Sequence, residues 1–259
     1  MAIVNEIFGN FAAAAAACGD GYNADDLAEV VAHMTTAVLP VNTHAFAPQQ
    51  AINSIMAVTL AAAAVPDRPL SVLDFGGACG FSYFRVAATF SRPLRWAVVE
   101  TPAMAKRAAR VGDGKFESHD DLTAAATSLG EIDLIHASGS LQFVPDPVAT
   151  LRTFAALEPR YIAVARYPLW LERDAVGVQE STLAGNGWGP MPPNVPDRAV
   201  RYPVTFTNFN EVMAALRSYA LDLVMPDPSA EYFVRKRRVQ SLTAIFRRSA
   251  CVILSFGAI

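Results

Sequence analysis

The chain has 259 residues, of which 53% are apolar and 17% charged, with a formal charge of −3. Such a length and apolar share can bury one α/β core plus a small cap, and the weak negative charge gives no field for gripping nucleic acid. Cys18, Cys79 and Cys251 are isolated, with neither a C-x-x-C pair nor a metal-ligand spacing, so no metal is expected and a reducing cytoplasm is.

Residues 3–18, 24–39 and 49–64 read as helices rich in alanine, broken by Gly19-Asp20-Gly21 and by Pro40 and Pro48. The apolar run 11–18 follows Glu6 with no lysine or arginine before it, unlike a secretory leader. Runs 54–65 and 250–259 are too short to span a bilayer, so a soluble protein with no membrane partner is expected. Pro66-Asp67-Arg68-Pro69 reads as a stiff linker, which divides the chain into a helical N-terminal cap or lid, residues 1–66, and an α/β domain, residues 67–259.

Ser71-Val-Leu-Asp-Phe-Gly-Gly-Ala-Cys-Gly80 is an apolar strand running into a glycine-rich turn. A dinucleotide fingerprint starting at Gly76 would put its third glycine at Phe81, too bulky for close helix–strand packing, which argues against NAD or FAD. The acid followed by small residues at alternate positions, Asp74, Gly76, Ala78 and Gly80, resembles instead the first motif of class I S-adenosylmethionine (SAM) methyltransferases. Ala78 departs from the usual glycine; if the position needs positive φ, alanine costs roughly 1 kcal/mol, unless Gly77 takes the turn.

Leu94-Arg-Trp-Ala-Val-Val-Glu100 is a second strand ending in a carboxylate about twenty residues beyond the glycines, where a ribose diol is gripped. Glu100 is thus a ligand candidate, with a helix-start carboxylate before Pro102 as the alternative. A short third strand, 115–118, leads to His119-Asp120-Asp121, where Asp120 is either an adenine contact or a helix cap. A fourth, 131–136, opens into Ser138-Gly-Ser-Leu-Gln-Phe143 at the ligand-binding edge of an open α/β sheet.

Leu73-Asp-Phe-Gly-Gly, Val98-Val-Glu100, Ser138-Gly-Ser-Leu-Gln-Phe143 with Asp146-Pro147, and Tyr161-Ile-Ala-Val-Ala-Arg166 together resemble a little-characterised family of class I SAM methyltransferases, over roughly residues 21–247. The resemblance implies a Rossmann-like α/β fold, a mostly parallel seven-stranded sheet with helices on both faces. It implies SAM at the switch point, held by Asp74, Gly76, Gly77, Ala78, Gly80, Glu100, Asp120 and Ser138. Bacterial enzymes that cyclise SAM to azetidine-2-carboxylate and methylthioadenosine have a similar scaffold.

After the fifth strand, 160–166, the pattern lapses over residues 168–203 into an irregular loop dense in glycine and proline, and 185–190 with Trp188 reads as an active-site cover. A helix at 208–220 and antiparallel strands at 221–225 and 240–247 complete the chain. Sulfonium chemistry asks the protein to position groups and exclude water. Tyr167, Gln142 and Trp188 are the positioning candidates, with Phe81, Tyr83, Trp170 and Tyr202 as further aromatic faces and Asn53 as a further polar anchor. All four histidines, His33, His44, His119 and His136, precede the fifth strand, leaving no obvious base after it. Three readings follow: methyl transfer to a small acceptor, cyclisation of SAM with no acceptor, and a non-catalytic SAM-binding protein. Arg235-Lys-Arg-Arg238 reads as a solvated hairpin face or as a contact for an acidic carrier protein. A homodimer is a further expectation.

Overall fold

Val72 and Leu73 are neighbours in sequence yet lie in different hydrophobic cores. The same division at Ala97 and Val98, Leu134 and Ile135, and Ile162 and Ala163 gives one sheet two buried faces. The computed structural model describes residues 2–4, 6–39, 49–65, 68–170 and 174–249. Pro40, His44, Pro48, Pro66, Asp67, Cys251 and the run 250–259 lie outside the described residues.

In chain order the elements are β1 (Ala2–Val4), β2 (Ile7–Phe8), α1 (Phe11–Ala16), α2 (Asp25–Val38), α3 (Gln49–Ala63), β3 (Leu70–Phe75), α4 (Phe81–Thr89), β4 (Leu94–Val99), α5 (Pro102–Gly112), β5 (Glu117–His119), α6 (Leu122–Leu129) and β6 (Leu134–Ser138). There follow α7 (Pro147–Ala156), β7 (Tyr161–Trp170), β8 (Ala175–Thr182), β9 (Ala199–Asn208), α8 (Phe209–Ala215), β10 (Tyr219–Val234) and β11 (Arg237–Arg248). Strands β7, β6, β3, β4 and β5 run parallel in that spatial order. β11 pairs antiparallel with β7, and β10 antiparallel with β11, which completes the expected seven-stranded, mostly parallel sheet. β1 adds a parallel edge strand beside β10.

The parallel part of the sheet begins at its own centre with β3, runs outward through β4 and β5, then returns to β6 on the other side of β3. This reversal opens a crevice at the carboxyl ends of β3 and β6. Helices α3, α4 and α5 cover one face through Ala57, Val58, Val86 and Ala108. Helices α6, α7 and α8 cover the other through Leu129, Leu151, Phe154 and Val212. Local chemistry starts several of these helices: Asp121 and Asp146 accept from the backbone N–H groups of Ala124 and Ala149, and Pro102 and Pro147 occupy first-turn positions. No helix of the described residues is long and apolar enough to cross a membrane.

Four expectations need correcting. Residues 3–18 are not one helix: β1 and β2 pair with β10 and β8, and the helix begins only after Asn10, whose side chain caps it by accepting from Ala13 N. Helix α3 packs on the central sheet, so within the expected 1–66 cap only the segment through α2 lies over the glycine turn. Residues 168–203 are not one irregular loop: β7 continues to Trp170, β8 pairs antiparallel with β9, and a 3-10 turn spans Leu183–Asn186, leaving 187–198 as the irregular part among the described residues. The terminal hairpin is longer than predicted because β10 absorbs Pro226 and Pro228 in a bulge between Pro226 and Glu231.

Candidate functional site

The turn after β3 is shaped by what presses on it. Gly76 (φ 68°) and Gly80 (φ 79°) are left-handed; a Cβ at Gly76 would fall 2.1 Å from Ser140 Cβ, and one at Gly80 would fall 2.4 Å from the Phe116 ring. Ser140 is held there by donating to the Phe75 carbonyl at 2.7 Å. Gly77 is not left-handed; its missing side chain leaves room for Asp74, whose Oδ2 would sit 2.5 Å from a Cβ. Ala78 itself takes the strained conformation, with φ 48°, so Gly77 does not spare it that cost.

Asp74 is 1% exposed and both carboxylate oxygens are engaged within the protein. Oδ1 accepts from His136 Nδ1 at 2.7 Å and Oδ2 from Trp96 Nε1 at 3.3 Å. With Nδ1 carrying the proton, His136 Nε2 accepts from Ser54 Oγ at 3.1 Å. Asp74 therefore braces the turn from beneath. Asn53 is likewise spoken for, donating to Asp227 Oδ2 at 2.6 Å and to Thr243 Oγ1 at 3.0 Å.

Glu100, just past β4, is half-buried and reaches across to the glycine turn. Oε1 accepts from Ala78 N at 3.0 Å and Oε2 from Thr101 N at 2.9 Å. Burial pushes its carboxyl above the usual carboxylate range, against the pull of those two N–H groups. A carboxylate offers about four acceptor positions. One on each oxygen remains, which matches two adjacent hydroxyl donors. Asp120 is exposed beyond β5, and the capping role belongs to Asp121. Ser138 is half-buried at the tip of β6. Burial pushes the Cys79 thiol up to about 12, so this residue packs under α2 as an unreactive thiol.

Above the turn, Trp188 stacks on Phe81, with ring centroids 5.7 Å apart at 21°, and Arg85 lies 5.1 Å over the same Phe81 ring. The segment carrying Trp188 lies flat on α2: a Cβ at Gly189 would come 2.4 Å from the Met34 carbonyl oxygen, and one at Gly187 2.8 Å from its sulfur. Glycines in 185–190 thus let this segment approach the helix, and Trp188 remains 43% exposed.

Beyond β6, Gln142 is buried and donates to Tyr232 Oη at 3.3 Å, while its Oε1 has no partner. Tyr22 stacks on Tyr202 at 4.3 Å, and Phe143 closes the aromatic group at 5.0 Å from Tyr22. Tyr167 departs from its expected role. It lies in the core between sheet and helices, its hydroxyl bonded to Thr207 Oγ1 at 2.5 Å, and burial drives its pKa far up. The reason is a left-handed kink at Arg166 (φ 56°) that resets which face the next residue takes. Sequence reasoning missed Ser140, Tyr22 and Arg166; only Ser140 carried a signal, as the second serine of the Ser138-Gly-Ser140 edge.

A family model described as a methyltransferase domain matches residues 44–203. No curated protein matches the sequence. Among solved structures, the chain is similar to SAM-bound CalS10, an amino pentose methyltransferase from Micromonospora echinaspora involved in calicheamicin biosynthesis (TM-score 0.50, 14% identity, 79% of this chain and 93% of that one). It is also similar to DesVI of Streptomyces venezuelae (0.50, 13%, 77% and 92%). A third similar structure is a SAM-dependent methyltransferase from Clostridium acetobutylicum (0.51, 8%, 80% and 94%).

Proposed function

The chain belongs to the methyltransferase-domain family and has the Rossmann-like fold of class I SAM-dependent methyltransferases, and on that premise we propose that it moves the methyl group of SAM to a small-molecule acceptor. The observation that carries this reading is Glu100. Its carboxylate sits at the tip of β4, is tied to the glycine turn through Ala78 N, and keeps one acceptor position free on each oxygen, which fits a ribose diol.

SAM, when bound, supplies a methyl carbon on a positively charged sulfur, open to in-line displacement. The chain's own residues do the rest. Glu100 fixes the ribose, and the turn 76–80 lets the backbone approach because Ser140, Asp74 and Phe116 exclude side chains there. Asp120 and Ser138 are the polar groups assigned to the adenine and methionyl ends. Phe81 and Trp188 form an aromatic cover that keeps water out. The protein works in the cytoplasm, a setting that suits the free thiols of Cys18 and Cys79.

The test is to incubate the purified protein with SAM, alone and with a panel of small amines and hydroxyl compounds, and to follow products by mass spectrometry. S-adenosylhomocysteine formed only with an acceptor supports methyl transfer. Methylthioadenosine and azetidine-2-carboxylate in equal amounts from SAM alone would overturn it in favour of cyclisation.

A further inference from the structure

Arg166 sits on β7 at the carboxyl edge of the sheet, with φ 56° in a stretch of otherwise extended backbone. An arginine pays for that conformation, since its Cβ crowds the backbone. The kink lays the guanidinium across Gly139, where a Cβ would fall 2.8 Å from Nη1 and 3.0 Å from Cζ. Gly139 itself is left-handed (φ 68°) and joins Ser138 to Ser140, the residue wedged against Gly76. The charge is therefore one strand away from the glycine turn.

Within the described residues this guanidinium has no carboxylate partner and makes no hydrogen bond, and its Nε is buried without a partner. Arg68, Arg107, Arg160, Arg198 and Arg247 by contrast each hold an acidic side chain. Gln142 Oε1 is another buried polar atom without a partner. Tyr232 is bonded to Gln142; burial pushes its hydroxyl and that of Tyr22 up, and the positive charge of Arg166 acts against that rise in both. Turning the Gln142 amide over would let Tyr232 donate to its oxygen and free the NH₂ group as a donor. A fixed, half-buried cation beside a site for a sulfonium repels that sulfonium, so what it attracts must be anionic. Its planar fork of donors suits a carboxylate.

We propose that Arg166, with Gln142 and Tyr232 beside it, forms a carboxylate-binding subsite at the β6–β7 edge of the SAM site. The proposal rests on the SAM reading above. Two ligands present this chemistry there: the methionyl carboxylate of SAM, and a carboxylate on the acceptor.

Arg166→Asn removes the charge while tolerating positive φ. Calorimetric titration of the native protein and this variant with S-adenosylhomocysteine and with methylthioadenosine, which lacks the amino-acid part, separates the sources. If the subsite holds the methionyl carboxylate, S-adenosylhomocysteine binds the variant about tenfold more weakly or worse, as for a lost charge-assisted bond, and methylthioadenosine binding is unchanged. If it holds the acceptor, S-adenosylhomocysteine binding is unchanged, while benzoate binding to protein saturated with S-adenosylhomocysteine is lost in the variant and benzamide binding is not. Unchanged binding of both S-adenosylhomocysteine and benzoate in a folded variant overturns the subsite and leaves the SAM reading standing. Failure of the native protein to bind S-adenosylhomocysteine or methylthioadenosine overturns both. Arg166→Gly, which adopts φ 56° without strain, repeats the measurement if the Asn variant melts too low.

Discussion

Gly76→Ala tests the construction of the glycine turn. A Cβ there would lie 2.1 Å from Ser140 Cβ, about half of a normal carbon–carbon contact, and the backbone of Ser140 stands only 3.5 Å behind it. The new side chain also occupies φ 68°, which costs about 1 kcal/mol. Relieving the overlap means moving Ser140, for about 1–3 kcal/mol of packing strain, and loosening its 2.7 Å bond to the Phe75 carbonyl, for about 1 kcal/mol more. Lower entropy of the unfolded chain returns about 0.5 kcal/mol. Urea unfolding of the unliganded protein should therefore show a loss of about 2.5–4.5 kcal/mol. Adding Ser140→Gly removes the colliding atom, so the double variant should be more stable than the sum of the single losses by about 1–3 kcal/mol. Additive losses would refute the claim that Ser140 is what makes glycine necessary at position 76.

Ala78→Gly should raise stability by about 0.5 kcal/mol, since relief of φ 48° outweighs the added freedom of the unfolded chain; a lower melting temperature would contradict this. Trp188→Ala should cost about 1 kcal/mol of SAM affinity through the lost Phe81 stack and change the melting point of the unliganded protein little, because the ring is 43% exposed. Asp133 is fully buried at the opposite edge of the sheet, where it accepts from Arg68 at 2.8 Å and from Ser71 N at 2.9 Å. Asp133→Ala should lower stability by about 3 kcal/mol with SAM affinity unchanged, as calorimetry on the folded protein would show. The raised Glu100 pKa means that the folded protein holds this proton to a higher pH than the unfolded chain does. Its contribution to unliganded stability thus falls as pH rises from the ordinary carboxylate range to the raised folded value. SAM affinity should move the opposite way, weakening as acidification protonates the carboxylate, and Glu100→Ala should abolish that slope.

The parallel half of the sheet was legible because each of its strands is an apolar run meeting a turn signal, as at Phe75-Gly76 and at Val99-Glu100. Glu100 could be picked out by spacing alone, since strand, crossover helix and next strand have nearly fixed lengths. The β10–β11 hairpin was harder to read. Pro226 and Pro228 signal a break, and its two-residue turn uses Arg235 and Lys236 at φ 49° and 67° where Asn-Gly would announce itself. Tyr167 was misplaced for a related reason. Strand alternation puts it on a fixed face only if Arg166 is extended, and nothing in the sequence marks Arg166 as left-handed. The protein partners of Asp74 were not legible, because His136 and Trp96 converge on it from two other strands and only tertiary packing brings them there.

The central claim is that Glu100 and the glycine turn hold SAM, and calorimetric titration of the native protein and Glu100→Ala with SAM addresses it most directly. The account predicts saturable binding at one site in the native protein, weakened by roughly 1–3 kcal/mol in the variant through the lost charge-assisted bonds. Equal affinity in the two proteins, or stabilisation of the native protein by NADH in place of SAM, would contradict it.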